Sequence, residues 1–146
     1  MNLKQFFSIC LSGIIWAGQA LAESPPKQIA QNASTMIYAS INKSGIDGAV
    51  SEIKQCYDQV KSRDHFVYCM SMDIQASRFD AAVSKKSGLP AHDFFLEANM
   101  DQRVQVLQRW YTSTSQLDYV MKQVMDGLEA GTKQQLARVQ SLNKEK

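Results

Sequence analysis

Cys56 and Cys69 stand at mirror positions about a short polar break, Lys61-Ser62-Arg63-Asp64, whose centre falls between Ser62 and Arg63. If the flanking segments are helices folded back on each other, mirror positions come to the same height. Two sulfurs at one height meet the geometry of a disulfide, with Cα atoms about 5.5–6 Å apart. The pair therefore predicts an antiparallel helical hairpin held by a disulfide, in an oxidising compartment. A redox pair ordinarily reads C-x-x-C, and this spacing is far wider. The closed loop of about 14 residues is worth on the order of 3 kcal/mol in the chain-entropy account. That is a large share of the stability of a small domain.

The third cysteine, Cys10, lies in a segment with the layout of a secretory signal peptide. Lys4 supplies the positive start, Phe6 to Ala17 is mostly apolar, and Ala20-Leu21-Ala22 offers small residues to a signal peptidase. An apolar run of about 12 residues is too short for an ordinary span of roughly 20. Cys10 follows Ile9 rather than a small residue, which argues against a lipoprotein. The expectation is cleavage after Ala22 and one helical domain over 23–146, in the periplasm or secreted.

Charge excludes some partners. The chain carries 16 Lys+Arg against 14 Asp+Glu, and losing Lys4 lowers the formal net charge from +2 to +1. No basic block marks a nucleic-acid footprint. After the leader no second long apolar segment is present, so no membrane span is expected.

Helical spacing dominates, and strand-type alternation is scarce. Pro25-Pro26 suits the start of a first helix to about Ile41, with Ile29, Ala33, Met36, Ile37 and Ser40 or Ile41 as its apolar stripe. Gly45 is available to end it in a left-handed cap. A second helix follows from Asp47 or Gly48, with Val50, Ile53, Cys56 or Tyr57, and Val60. A third, after Ser62-Arg63-Asp64, carries Cys69, Met72, Ala76, Phe79 and Val83 at alternating steps of three and four. Lys85 and Lys86 complement the dipole of its last turn, and Gly88 fits its end. A connector with a short helical turn after Pro90 leads to a long helix from Asn99, with Gln102 as a capping-box partner. Thr112-Ser113-Thr114-Ser115 marks a bend, and Gly127 and Gly131 bracket a break before a last segment with Leu136, Val139 and Leu142. The expected fold is all-α, a small bundle of four to five helices.

The chemistry-bearing residues are sparse. G-x-S-x-G, H-E-x-x-H and P-loop patterns are absent. Oxidation removes the thiolate that nucleophilic catalysis at Cys56 or Cys69 would need. His65 reads as a surface residue at a helix start, and His92-Asp93 is no dyad because neighbouring helical side chains diverge. Zinc held by Cys56, His65, Cys69 and His92 does not match a usual knuckle spacing. Met121 and Met125 share a helix face and could offer thioethers to Cu(I), but methionines also fill irregular cores. Asp73 and Asp80 share a face of the third helix and read as its solvated flank. No catalytic residue, cofactor or metal is therefore assigned.

Two aromatic groups remain. Phe94-Phe95-Leu96 cannot all be comfortable in an exposed connector. Trp110 and Tyr111 point about 100° apart on a helix and cannot share one narrow seam. Trp and Tyr are favoured interface anchors. These five residues are the candidate partner-binding set. The expected function is binding to a protein of the bacterial envelope, as an inhibitor or immunity-type partner or an assembly accessory factor, without catalysis and with self-association left open. The alternatives are a chaperone-like stress protein and a small cell-wall enzyme.

Overall fold

Local signals at Pro26, Gly45, Ser62 and Gly88 set out the first two helices. The computed structural model describes residues 25–105, 109–111 and 113–144. The expected leader, 1–22 with Cys10, lies outside the described residues, as does Leu107. Helix α1 (Pro26–Asp58) has proline in its first turn and is kinked at Gly45, whose φ of 69° and ψ of −168° are non-helical. Only glycine adopts that conformation readily. The expected first and second helices are thus the two limbs of one kinked element. Helix α2 (Arg63–Ser87) begins where the Ser62 hydroxyl accepts the His65 backbone N–H at 3.1 Å. It ends at Gly88, in the left-handed region with φ 73°. Lys85 and Lys86 occupy its last turn.

The connector folds into a 3₁₀ turn, Asp93–Phe95, capped by His92 Nδ1, which accepts the Phe94 N–H at 3.1 Å. The other ring nitrogen of His92 lies 3.2 Å from Asp47 Oδ1, and the His92 backbone N–H donates to Asp80 Oδ2 at 2.8 Å. One residue thus ties the connector to both α1 and α2. Helix α3 (Glu97–Val104) starts two residues before Asn99, contrary to expectation, and Gln102 forms no capping box with it. The Asn99 amide instead donates back to the Asp93 carbonyl at 2.8 Å. The expected long helix is two elements. Helix α4 (Thr114–Lys144) begins after Ser113, whose hydroxyl accepts the Gln116 N–H at 3.3 Å. The chain bends at Ser113, as expected, and the next residue, Thr114, begins a separate helix. Four α-helices and one 3₁₀ turn, with no strand, make up the described residues.

Helix α4 continues through Gly127 and Gly131, correcting the expected break. Both glycines lie against α1. A Cβ at Gly127 would overlap the Lys27 carbonyl oxygen and stand 2.8 Å from Ala30 Cβ, and one at Gly131 would stand 2.6 Å from Ser34 Cβ. Gly127 and Gly131, facing Ala30 and Ser34, let the two backbones approach closely. The pairing of 27 with 127 and 31 with 131 means that the helices run in the same direction.

The core has two buried clusters. Ile29, Ala30, Phe66, Val67, Met70, Val124 and Leu128 belong to one; Ile37, Ala49, Ile53, Met72, Ala76 and Phe95 belong to the other. The Cys56–Cys69 disulfide joins α1 to α2, with Cα atoms 5.6 Å apart. Several stripe assignments change. Met36 and Val83 are exposed, as are Leu136 and Val139 on α4, while Ala30 and Ser34 are buried against it. Met70 and Met72 are both buried although they lie on different faces, because the first half of α2 is covered on several sides. Asp73 and Asp80 are buried too, so neither is a solvated flank.

Candidate functional site

The site is built around one buried carboxylate. Asp73 is 1% exposed. It accepts Arg103 Nε at 2.7 Å on Oδ2 and Arg103 Nη2 at 3.0 Å on Oδ1, a bidentate pair. The Tyr57 hydroxyl adds a third donor at 3.1 Å. Arg103 Nη1 donates to the Asn99 carbonyl at 2.9 Å, so the guanidinium is held at every nitrogen. Such planar bidentate pairing fixes orientation as well as charge. Burial, and then the negative charge of Asp73, push the Tyr57 phenol far above its ordinary range, so it remains a neutral donor.

Tyr57 and Arg103 of this network line a groove of about 630 Å³, within the range of pre-formed binding sites, about 300–1,000 Å³. Helix α1 contributes Lys54, Tyr57 and Asp58, the segment after it Val60, and α2 Phe66. The far side is Phe94 of the 3₁₀ turn, Gln102 and Arg103 of α3, then Arg109 and Trp110. The Arg103 guanidinium lies over the Phe94 ring at 3.8 Å from its centroid, and Lys54 Nζ lies over the same ring at 5.5 Å. Both are within reach of a cation–π attraction. The buried indole Nε1 of Trp110 has no acceptor among the described residues. Arg103 is neutralised by Asp73, so Lys54 and Arg109 against Asp58 leave the lining with a net positive charge. The groove is aromatic with a positive bias.

The five residues singled out from sequence divide. Phe94 and Trp110 meet in the groove. Phe95, 7% exposed, and Tyr111, 9% exposed, each belong to one of the two core clusters, and the edge of Tyr111 lines a smaller cleft with Arg63, Asp64 and Tyr119. Arg63 lies over the Tyr111 ring at 5.9 Å. Leu96 is exposed and is not part of the groove lining. Tyr57, Lys54 and Arg103 were not singled out. Tyr57 and Arg103 reach Asp73 across 16 and 30 residues, and Lys54 reaches Phe94 from another element, so no local pattern marks them.

His65 is half-buried rather than a surface residue, with Nε2 3.8 Å from Cys56 Sγ. His92, the fourth member of the zinc set considered from sequence, instead pairs with Asp47. The carboxylates of Asp73 and Asp80 are committed to Arg103 with Tyr57 and to the His92 backbone. Met125 Sδ accepts from Arg78 Nη2 at 3.4 Å.

Comparison with protein-family models, with curated proteins and with solved structures finds no match for this chain.

Proposed function

We propose that this chain is an exported helical binding protein of the bacterial envelope, cut after Ala22, that holds a partner protein without chemical turnover. On this reading residues 23–146 form one domain in the periplasm or outside the cell. The limb of α1 after Gly45 and α2 make an antiparallel hairpin held by Cys56 and Cys69. The observation that carries the reading is the meeting of Phe94 and Trp110, from separate elements, in one groove with Lys54, Arg103 and Arg109. Aromatic and arginine side chains at the centre of a concave patch are the usual anchors of protein interfaces. The positive bias suits a partner segment that brings an apolar side chain beside a carboxylate.

The groove's polar groups fit binding better than catalysis. Asp73 is already engaged by three donors from Arg103 and Tyr57, and burial keeps the Tyr57 phenol protonated near neutral pH. The test is affinity capture from envelope extract with the wild-type protein and with Phe94→Ala and Trp110→Ala. Each truncation is expected to weaken retention of the same partner by about tenfold or more, as losses above about 1.4 kcal/mol do. Equal retention by wild-type and both variants, with all three folded, would rule the groove out as the docking site.

A further inference from the structure

Beside the disulfide stands a third soft ligand. His65 Nε2 is 3.8 Å from Cys56 Sγ, and the ligand atoms of Cys56, His65 and Cys69 all lie within 4.8 Å of one another. With Zn–S near 2.3 Å and Zn–N near 2.0–2.1 Å, a tetrahedral zinc site has ligand–ligand edges of about 3.6–3.8 Å. The edge from His65 Nε2 to Cys56 Sγ, about 3.6 Å in such a site, is 3.8 Å here. The Cα atoms of the two cysteines stay 5.6 Å apart, so parting the sulfurs needs side-chain rotation rather than backbone movement. Ser62 holds the His65 backbone at the start of α2, while Cys69 is one turn further along the same helix. The backbone that carries the imidazole is thus held independently of the disulfide. Cys69 is fully buried and His65 half-buried, which leaves the histidine side open to a fourth ligand such as water.

We infer that reduction of Cys56–Cys69 converts this spot into a Zn²⁺ site with two thiolates and the His65 imidazole as ligands. The metal and the disulfide are then mutually exclusive states of one site. The conversion balances with a dithiol reductant. The dithiol loses two electrons and two protons and closes its own S–S bond, while Cys56 and Cys69 become thiols. Zn²⁺ then displaces the two thiol protons to solvent and accepts a lone pair from His65 Nε2. Thiolate and imidazole donors together suit Zn²⁺ or a soft monovalent cation, not Ca²⁺ or Mg²⁺.

The test titrates Zn²⁺, and Co²⁺ as its spectroscopic substitute, into the reduced and the oxidised protein, with helicity recorded on the same samples. The reduced protein is expected to take up one Zn²⁺ per chain, and Co²⁺ to give the thiolate charge-transfer band and intense visible bands of a tetrahedral site. The oxidised protein should take up none, and bound Zn²⁺ should slow re-formation of the disulfide. His65→Ala should weaken Zn²⁺ binding to the reduced protein by about 10–100-fold or more, since loss of even an outer-shell partner costs that much. The oxidised His65→Ala protein should melt close to wild-type, which separates ligand loss from misfolding. A reduced chain that unfolds and regains its helix with Zn²⁺ supports the assignment. A reduced chain that binds no stoichiometric Zn²⁺, folded or not, overturns it. So does His65→Ala binding Zn²⁺ as tightly as wild-type.

Discussion

Asp73 illustrates what single residues contribute here. A carboxylate at 1% exposure is tolerable only because Arg103 and Tyr57 together supply three donors. Arg103→Ala leaves that charge buried and unpaired, which costs about 3–5 kcal/mol. Urea denaturation should show the loss as a lower midpoint, and Arg103→Lys should recover only part of it because the ammonium cannot pair bidentately. Tyrosine burial has a second consequence. Burial is the first cause that raises the phenols of Tyr57, Tyr68 and Tyr111, with the charges of Asp73, Glu52 and Asp64 adding to it and Arg103 and Arg63 opposing it at Tyr57 and Tyr111. A folded-state value above the ordinary 10.0 means that the unfolded chain releases these protons first as pH rises. Their stabilising contribution is intact below about pH 10 and is lost above it. Denaturation midpoints measured from pH 8 to 12 should therefore hold steady and then fall. The tyrosinate absorbance of these three rings should appear together with unfolding. A midpoint that rises above pH 10 would contradict the burial of these rings.

At the scale of elements, glycines do two different jobs. Gly45 provides a backbone turn in α1, and nothing lies within 4 Å of a Cβ placed there. Gly127 and Gly131 provide close approach, and a Cβ there meets α1. Gly45→Ala should therefore cost about 1–3 kcal/mol through backbone strain alone. Gly131→Val should cost at least as much through overpacking, about 1–3 kcal/mol, although its helix propensity is better than that of glycine. Thermal melts of the two variants measure this. The local signals that made α2 legible were those with partners nearby in the chain, namely Ser62 with His65 and Gly88 with Ser84. The close approach of α4 to α1 was not legible, because a glycine pair in a helix looks like a breaker until the facing helix is known. The same holds for Asp73, which reads as solvated until Arg103, 30 residues on, is placed beside it. The apolar period from Asn99 onward continued across the Ser/Thr run and hid the boundary between α3 and α4. Of the groove, Phe94 and Trp110 were legible as aromatics without an obvious place in a stripe. Lys54, Tyr57 and Arg103 were not, because only packing gives them a common surface.

For the molecule as a whole, the account joins a staple, a core and a groove. The disulfide sits one residue from Tyr57, so it fixes the α1 side of the groove to α2. Removing it with Cys56→Ser and Cys69→Ser together should cost about 3 kcal/mol in stability. It should also loosen partner retention without abolishing helix content. The direct measurement is the intact mass, under non-reducing conditions, of the protein recovered from the envelope of cells that express the full chain. The account predicts the mass of residues 23–146 less two hydrogens, with a peptide linking Cys56 to Cys69. A chain that still carries Met1, or one with two free thiols in air, would contradict it.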